Sequence, residues 1–195
     1  MGKRILLIQG HPDSATRHLC HALEDSYAKG AGAAGHEVRR VDVGTLDFPI
    51  LRSQEEWEHG ALPPGLTEVQ EAIKWAEHLV FIFPLWGGDM PALLKAFLEQ
   101  VARPGFAFAR EGANPQARES LRGRSARLVV TMGMPALVYR WFYFAHGIKL
   151  LKRNILGFAG IRPVRDTVIG GVGNLSPQGA QKWLDRLERM GRNAE

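Results

Sequence analysis

His11 and His18 stand close together in QGHPDSATRHLC, just behind an apolar run. Imidazoles there, with the backbone N–H groups of Leu19 and Cys20 at a helix start, form a donor set suited to a phosphate. A second group lies in FPLWGGDMPALLKAFLEQV, residues 83–101. Pro84, Leu85, Trp86, Gly87 and Gly88 bring an aromatic ring and nearly bare backbone to the end of another apolar run. Such a surface suits a flat ligand: N–H groups bond its polar edge and Trp86 covers one side. Thr131, Met132, Gly133 and Met134 end a third apolar run and suit the opposite edge of the same ligand. Tyr139 and His146 are seven residues apart, so on an unbroken helix they share a face. There they can donate a proton or hydrogen bond to developing negative charge. No G-x-G-x-x-G fingerprint is present, and Gly170-Gly171-Val172-Gly173 follows the wrong strand to replace it.

These groups need elements to hold them. KRILLIQG (3–10), LVFIFPLW (79–86) and SARLVVTMG (125–133) are continuous apolar runs, as strands covered on both faces should be. HEVRRVDVG (36–44) alternates like a half-buried strand near an edge, and IRPVRDTVIGG (161–171) reads as the last strand. Between them, Leu19, Ala22, Leu23, Ser26 and Tyr27 fall at helical spacing. LTEVQEAIKWAEH (66–78) reads as a helix with Thr67 as N-cap, and residues 89–102 as one with Asp89 as N-cap and Pro91 in its first turn. Residues 45–64 form a long excursion without a clear period, and 103–116 a loop. Residues 136–158 read as helical with a break near His146 and Gly147, and Ser176-Pro177 opens a terminal helix. Alternating strands and helices predict an α/β fold: a three-layer sandwich around a five-stranded parallel sheet of order 2-1-3-4-5, as one domain over 1–195. In such sheets ligands bind beyond the carboxyl ends of the strands, where QGHPD, FPLWGG and VTMGMP lie.

Composition narrows the function classes. The chain has 195 residues and one cysteine, Cys20, which excludes an internal disulfide framework and fits a reducing, cytoplasmic setting. No run approaches the length of a membrane span. Net charge is +5, with basic residues gathered in RESLRGRSAR (118–127), KLLKRN (149–154) and IRPVR (161–165). A solvated basic face or a site for a phosphorylated cofactor accounts for them. Nucleic acid is not expected, because the nearby aromatics Trp141 to Phe144 read as buried or ligand-facing.

Residues 83–101 resemble the quinone reductase branch of flavodoxin-like flavoproteins, which includes DT-diaphorase and bacterial NAD(P)H:quinone oxidoreductases. The carriers are an apolar strand, Pro-Leu, an aromatic-bearing loop, then Pro-Ala-x-Leu-Lys and an acidic helix. Gly10-His11-Pro12-Asp13 is similar to the family's first phosphate loop, GFAF (105–108) to its segment after the third helix, and Thr131-Met132-Gly133 to its fourth-strand flavin loop. The resemblance covers roughly residues 4–170. It implies a bound FMN, or alternatively FAD, reduced by NADPH or NADH and reoxidised by a quinone or similar small acceptor. It implies phosphate contact at His11, His18, Leu19 and Cys20. It implies ring contact at Pro84, Leu85, Trp86, Gly87, Gly88, Thr131, Met132, Gly133 and Met134, with Tyr139 and His146 near the carbonyl edge. A homodimer with the site at its interface also follows. Gly87 and Gly88 stand where well-known members carry two aromatics, which implies a wider pocket or room for another aromatic. The absence of a C-terminal adenine-binding extension favours FMN. The same family includes regulatory flavoprotein subunits of potassium efflux transporters, and an NADPH-binding sensor without flavin turnover is a further alternative.

Overall fold

The computed structural model describes residues 2–108 and 121–195. Much of the expected 103–116 loop and the start of the basic stretch at 118 lie outside the described residues. Five strands form one parallel sheet: β1 (Arg4–Gln9), β2 (Glu37–Asp42), β3 (His78–Pro84), β4 (Ser125–Thr131) and β5 (Val164–Ile169), in the order β2-β1-β3-β4-β5. The helices are α1 (Leu19–Ala33), α2 (Gln54–His59), α3 (Pro64–Trp75), α4 (Ala92–Val101), α5 (Ala136–Trp141), α6 (His146–Leu150) and α7 (Pro177–Asn193). A π-helical turn, Leu151–Leu156, continues α6.

The apolar runs explain the layers. Alternate residues of a strand point to opposite faces, so Leu6, Ile8, Leu79, Phe81, Phe83, Leu128 and Val130 pack with Leu66, Val69 and Ile73 of α3 and Leu94 and Phe97 of α4. Ile5, Leu7, Val80, Ile82, Val129 and Ile169 face the other way, toward Leu23 and Tyr27 of α1 and Leu187 and Met190 of α7. β3 is buried along its whole length and β2, at the edge, is mostly not, as continuous and alternating patterns require. α1 and α7 meet backbone to backbone. A Cβ on Gly30 would stand 1.9 Å from the carbonyl oxygen of Glu188, and one on Gly191 would stand 2.1 Å from that of Tyr27.

Several boundaries differ from the sequence reading. Residues 45–64 contain α2, whose Ser53 hydroxyl accepts from Glu56 N–H at 3.1 Å. α3 starts at Pro64 behind Pro63, so Thr67 lies inside it and is no cap. α4 is preceded by Pro91, not capped by Asp89. Asp89 closes a turn instead: Trp86 N–H donates to its carbonyl at 2.9 Å and its own N–H returns to Trp86 O at 3.1 Å. Gly87 and Gly88 fill that turn with φ of 58° and 87°. Two central residues at positive φ make a type I′ turn, which explains the glycine pair. Ser176 caps α7 as expected, its hydroxyl accepting from Gly179 N–H at 3.0 Å. The expected break in 136–158 falls at Phe144 and Ala145, with φ of 52° and 48°.

Candidate functional site

The carboxyl ends of β1, β3 and β4 lie side by side in the sheet. Above β3 and β4 is a cavity of about 520 Å³, lined by Leu85, Gly87, Gly88, Met132, Gly133, Met134, Tyr139, Tyr143 and His146. Added side chains at Gly87, Gly88 or Gly133 would meet nothing within 4 Å, so the glycines leave bare backbone facing open space. Eight of these nine residues were expected at the site. Tyr143 was not named among them, although Trp141 to Phe144 read as buried or ligand-facing; Tyr143 lines the cavity at 49% exposure, and Trp141 is 77% exposed.

Beside the cavity, the start of α1 gathers three imidazoles. His11 stacks on His18 with ring centroids 3.9 Å apart, and His21 stands 5.5 Å from His11. The Trp86 ring lies edge-on to His11 at 5.9 Å, so it spans from the cavity loop to the histidines rather than lining the cavity. His11 is 6% exposed, and burial, followed by the charges of His18 and His21, lowers its pKa. Its Nδ1 accepts the fixed amide proton of Asp13 at 3.1 Å. The Asp13 carboxylate lies 2.7 Å from His18 Nε2 and accepts from Ala15 and Thr16 N–H; the His18 bond first, then those amides, hold it at about 2. His18 N–H donates to His21 Nδ1 at 3.0 Å, which leaves the buried Nε2 of His21 without a partner among the described residues. His21 was not among the expected site residues; its i, i+3 spacing from the N-cap His18 is the signal that could have found it.

Beneath the loop, Gln9 is fully buried. Its amide oxygen accepts from His11 N–H at 3.2 Å and its nitrogen donates to Glu24 at 3.1 Å. Burial raises the Glu24 pKa.

Cys20 and Thr131 are buried and bond to each other, Sγ to Oγ1, at 3.3 Å; neither side chain lines the cavity. Burial pushes the Cys20 thiol up to about 11, so it is no nucleophile. Pro84 is also buried, and the ladder continues past it through Leu85 N–H to Thr131 O at 2.7 Å. Leu19 is the first residue of α1, so its N–H and that of Cys20 belong to the unsatisfied first turn.

Tyr139 and His146 reach one cavity from two short helices rather than from one unbroken face. The Tyr139 hydroxyl donates to Gly88 O at 3.4 Å and accepts from Ile148 N–H at 3.3 Å. Burial raises its pKa. The start of α6 also rests on the glycine turn, because a Cβ on Gly147 would stand 2.7 Å from Gly88 O. The two walls of the cavity are therefore joined.

Of the basic residues, Arg124 donates to Ile73 O and Lys74 O, Arg127 is buried and donates to Glu195 O, and Lys152 pairs with Asp166. These three serve the fold rather than an anion site. A second cavity, of about 990 Å³, lies among α2, α3 and residues 103–106. It is larger, but none of the expected site residues lines it.

A planar, ring-sized ligand with an anionic tail fits this arrangement. The open backbone at Gly87, Gly88 and Gly133 would bed such a ring, and the His21 Nε2, buried and without a partner among the described residues, and the α1 first turn would offer the tail donors.

Comparison with known proteins agrees with the architecture. Residues 3–191 match the family model described as flavodoxin-like fold. An FMN-dependent NADH:quinone oxidoreductase of Shewanella amazonensis is 31% identical over 186 residues, covering 87% of this chain and 90% of that protein. An FMN-dependent NADH:quinone oxidoreductase of Macrococcus caseolyticus is 26% identical over 206 residues, covering 95% of each. The solved NAD(P)H:quinone oxidoreductase of Methanothermobacter marburgensis superposes with a TM-score of 0.81 at 25% identity, covering 100% of this chain and 98% of that one. With the 2-1-3-4-5 sheet and the site above its carboxyl edge, these matches make the chain a member of the flavodoxin-like fold family, in its NAD(P)H:quinone oxidoreductase branch.

Proposed function

We propose that the chain is a flavin-dependent NAD(P)H:quinone oxidoreductase that holds FMN. The observation that carries this reading is the junction of a glycine-floored cavity with a histidine-rich helix start, bridged by Trp86. His11, His18 and the N–H groups of Leu19 and Cys20 hold the phosphate. Leu85, Gly87, Gly88, Met132, Gly133 and Met134 bed the ring, Trp86 covers its phosphate side, and buried Pro84 and Thr131 fix the two loops from below. A bound flavin supplies hydride acceptance from NADPH or NADH and two-electron donation to a quinone. Tyr139, tied to Gly88 O and Ile148 N–H, orients the wall against which the ring rests. His146 stands at that wall and moves a proton to or from the charge that develops there.

The exposed apolar surface beside the cavity supports a homodimer. Leu137, Trp141, Phe142 and Phe144 are 58–77% exposed on and after α5, a patch that a lone chain would not leave to water. Among the described residues no helix is long and apolar enough to cross a membrane and no His/Cys/Asp/Glu group could hold a metal. The reading keeps the protein in the reducing cytoplasm.

The test begins with the visible spectrum of the purified protein and the mass of what it releases on heating. Steady-state oxidation of NADPH and NADH with a soluble quinone should follow, with the parallel lines of ping-pong kinetics. A colourless protein without turnover overturns the function. His11→Ala with His18→Ala should weaken FMN binding by about 1–3 kcal/mol, the range for hydrogen bonds to charged groups. Undiminished affinity in that double variant would place the phosphate elsewhere.

A further inference from the structure

Tyr139 and His146 stand on a segment that regular backbone holds poorly. α5 has six residues and α6 has five, and a π-helical turn follows. Between the two helices Phe144 and Ala145 both take left-handed φ, a conformation costly for side-chain-bearing residues. The junction has bonds of its own, Ala145 N–H to Tyr139 O at 3.0 Å among them, and is also tied from outside. Asp166, on β5, reaches it from the sheet and does not line the cavity. Its side chain is only 14% exposed. Oδ2 accepts from Arg140 at 2.7 Å and Oδ1 accepts from Lys152 Nζ at 2.5 Å. The two cations flank the junction: Arg140 follows Tyr139 on α5, and Lys152 lies in the turn after α6. Burial alone would raise the Asp166 pKa, yet the two bonded cations hold it low, so the carboxylate is charged and both arms are engaged.

We propose that Asp166 is a positioning residue, a two-armed brace that sets where Tyr139 and His146 stand at the cavity. The inference rests on the proposed redox role of that cavity. Its chemistry is local. One carboxylate, with one oxygen for each cation, closes a ring from β5 through α5, the left-handed junction and α6 back to β5. Removing its charge frees both arms without replacing any cavity-lining residue. Lengthening it keeps the charge and restores part of the grip.

The experiment compares flavin-loaded wild type with Asp166→Asn, Asp166→Glu, His146→Phe and the Asp166→Asn/His146→Phe double variant. Stopped-flow reduction by NADPH, steady-state kinetics, thermal melts and the imidazole NMR signal of His146 are read together. Asp166→Asn should keep its flavin and lose about tenfold in kcat with KM nearly unchanged, the scale of a small misplacement at a reacting centre. The His146 signal should shift or broaden, and Asp166→Glu should recover part of both. In the His146→Phe background, Asp166→Asn should add little, because the two act through one group. Fully multiplicative losses, or a His146 signal unchanged in folded Asp166→Asn, overturn the brace. A His146→Phe enzyme with wild-type rates overturns the proposed role of His146 and leaves the brace to be decided by the Asp166→Asn NMR signal, which flavin-free protein also reports. If Asp166→Asn does not fold, Lys152→Met removes one arm and must shift the same signal.

Discussion

His78 shows how a single buried side chain links the fold to pH. It opens β3 at 3% exposure, with Nδ1 2.7 Å from Ser125 Oγ and Nε2 without a partner among the described residues. Burial lowers its pKa from 6.5 to about 4. The folded protein resists a proton that the unfolded chain accepts near its ordinary pKa. Stability is therefore full above that value and is lost as pH falls from 6.5 toward 4, by roughly 3 kcal/mol. His78→Gln can keep a bond to Ser125 and cannot titrate. Urea unfolding at neutral pH and near pH 4 should show wild type losing roughly 3 kcal/mol more than the variant. Equal losses would mean that His78 is not held neutral. The histidines at the start of α1 were only half legible in the sequence. His11 and His18 follow from the rule that ligands sit at strand ends, but the stacking that joins them to His21 is a tertiary fact.

At the scale of elements, α1 and α7 depend on two glycines. Gly191→Ala would drive a methyl toward Tyr27 O, 2.1 Å from the built Cβ position, and should cost about 1–3 kcal/mol as overpacking. Gly32→Ala is the control: it lies on α1, two residues after Gly30, in open space and should raise stability by up to about 1 kcal/mol. Chemical denaturation of the two variants decides it, and equal effects would remove the close contact from the account. The strands were read to within three residues at each end because buried runs such as LVFIFP have no other good interpretation. The helix starts were read less well. Asp89 looks like a cap in the sequence, yet the type I′ turn takes its backbone first. Thr67 looks like one too, but Pro63 and Pro64 start the helix earlier. α2 was missed because six residues give no period to see. Tyr139 and His146 were paired for a reason that fails, helical spacing, and meet because the break turns α6 back onto the Gly88 carbonyl.

For the whole molecule, the proposed dimer is tested on the aromatic face around α5. Trp141 is 77% exposed, so Trp141→Glu should leave the core intact and turn a dimer into a monomer in light scattering. A wild type that is already monomeric at assay concentrations would remove the dimer. The strand order also dictates a sequence of events in time. Every neighbouring pair is parallel; β1 pairs with β2 on one side, Arg4↔Glu37, and with β3 on the other, Ile5↔His78, with β2 made between them. On a growing chain, β1 emerges long before β3, its partner at the centre of the sheet. Until His78 and the residues after it are made, Ile5, Leu6, Leu7 and Ile8 can be covered from only one edge. Such non-local pairing makes folding slow and leaves an apolar strand waiting. During synthesis, then, this six-residue apolar strand waits with one edge open until its second neighbour is made.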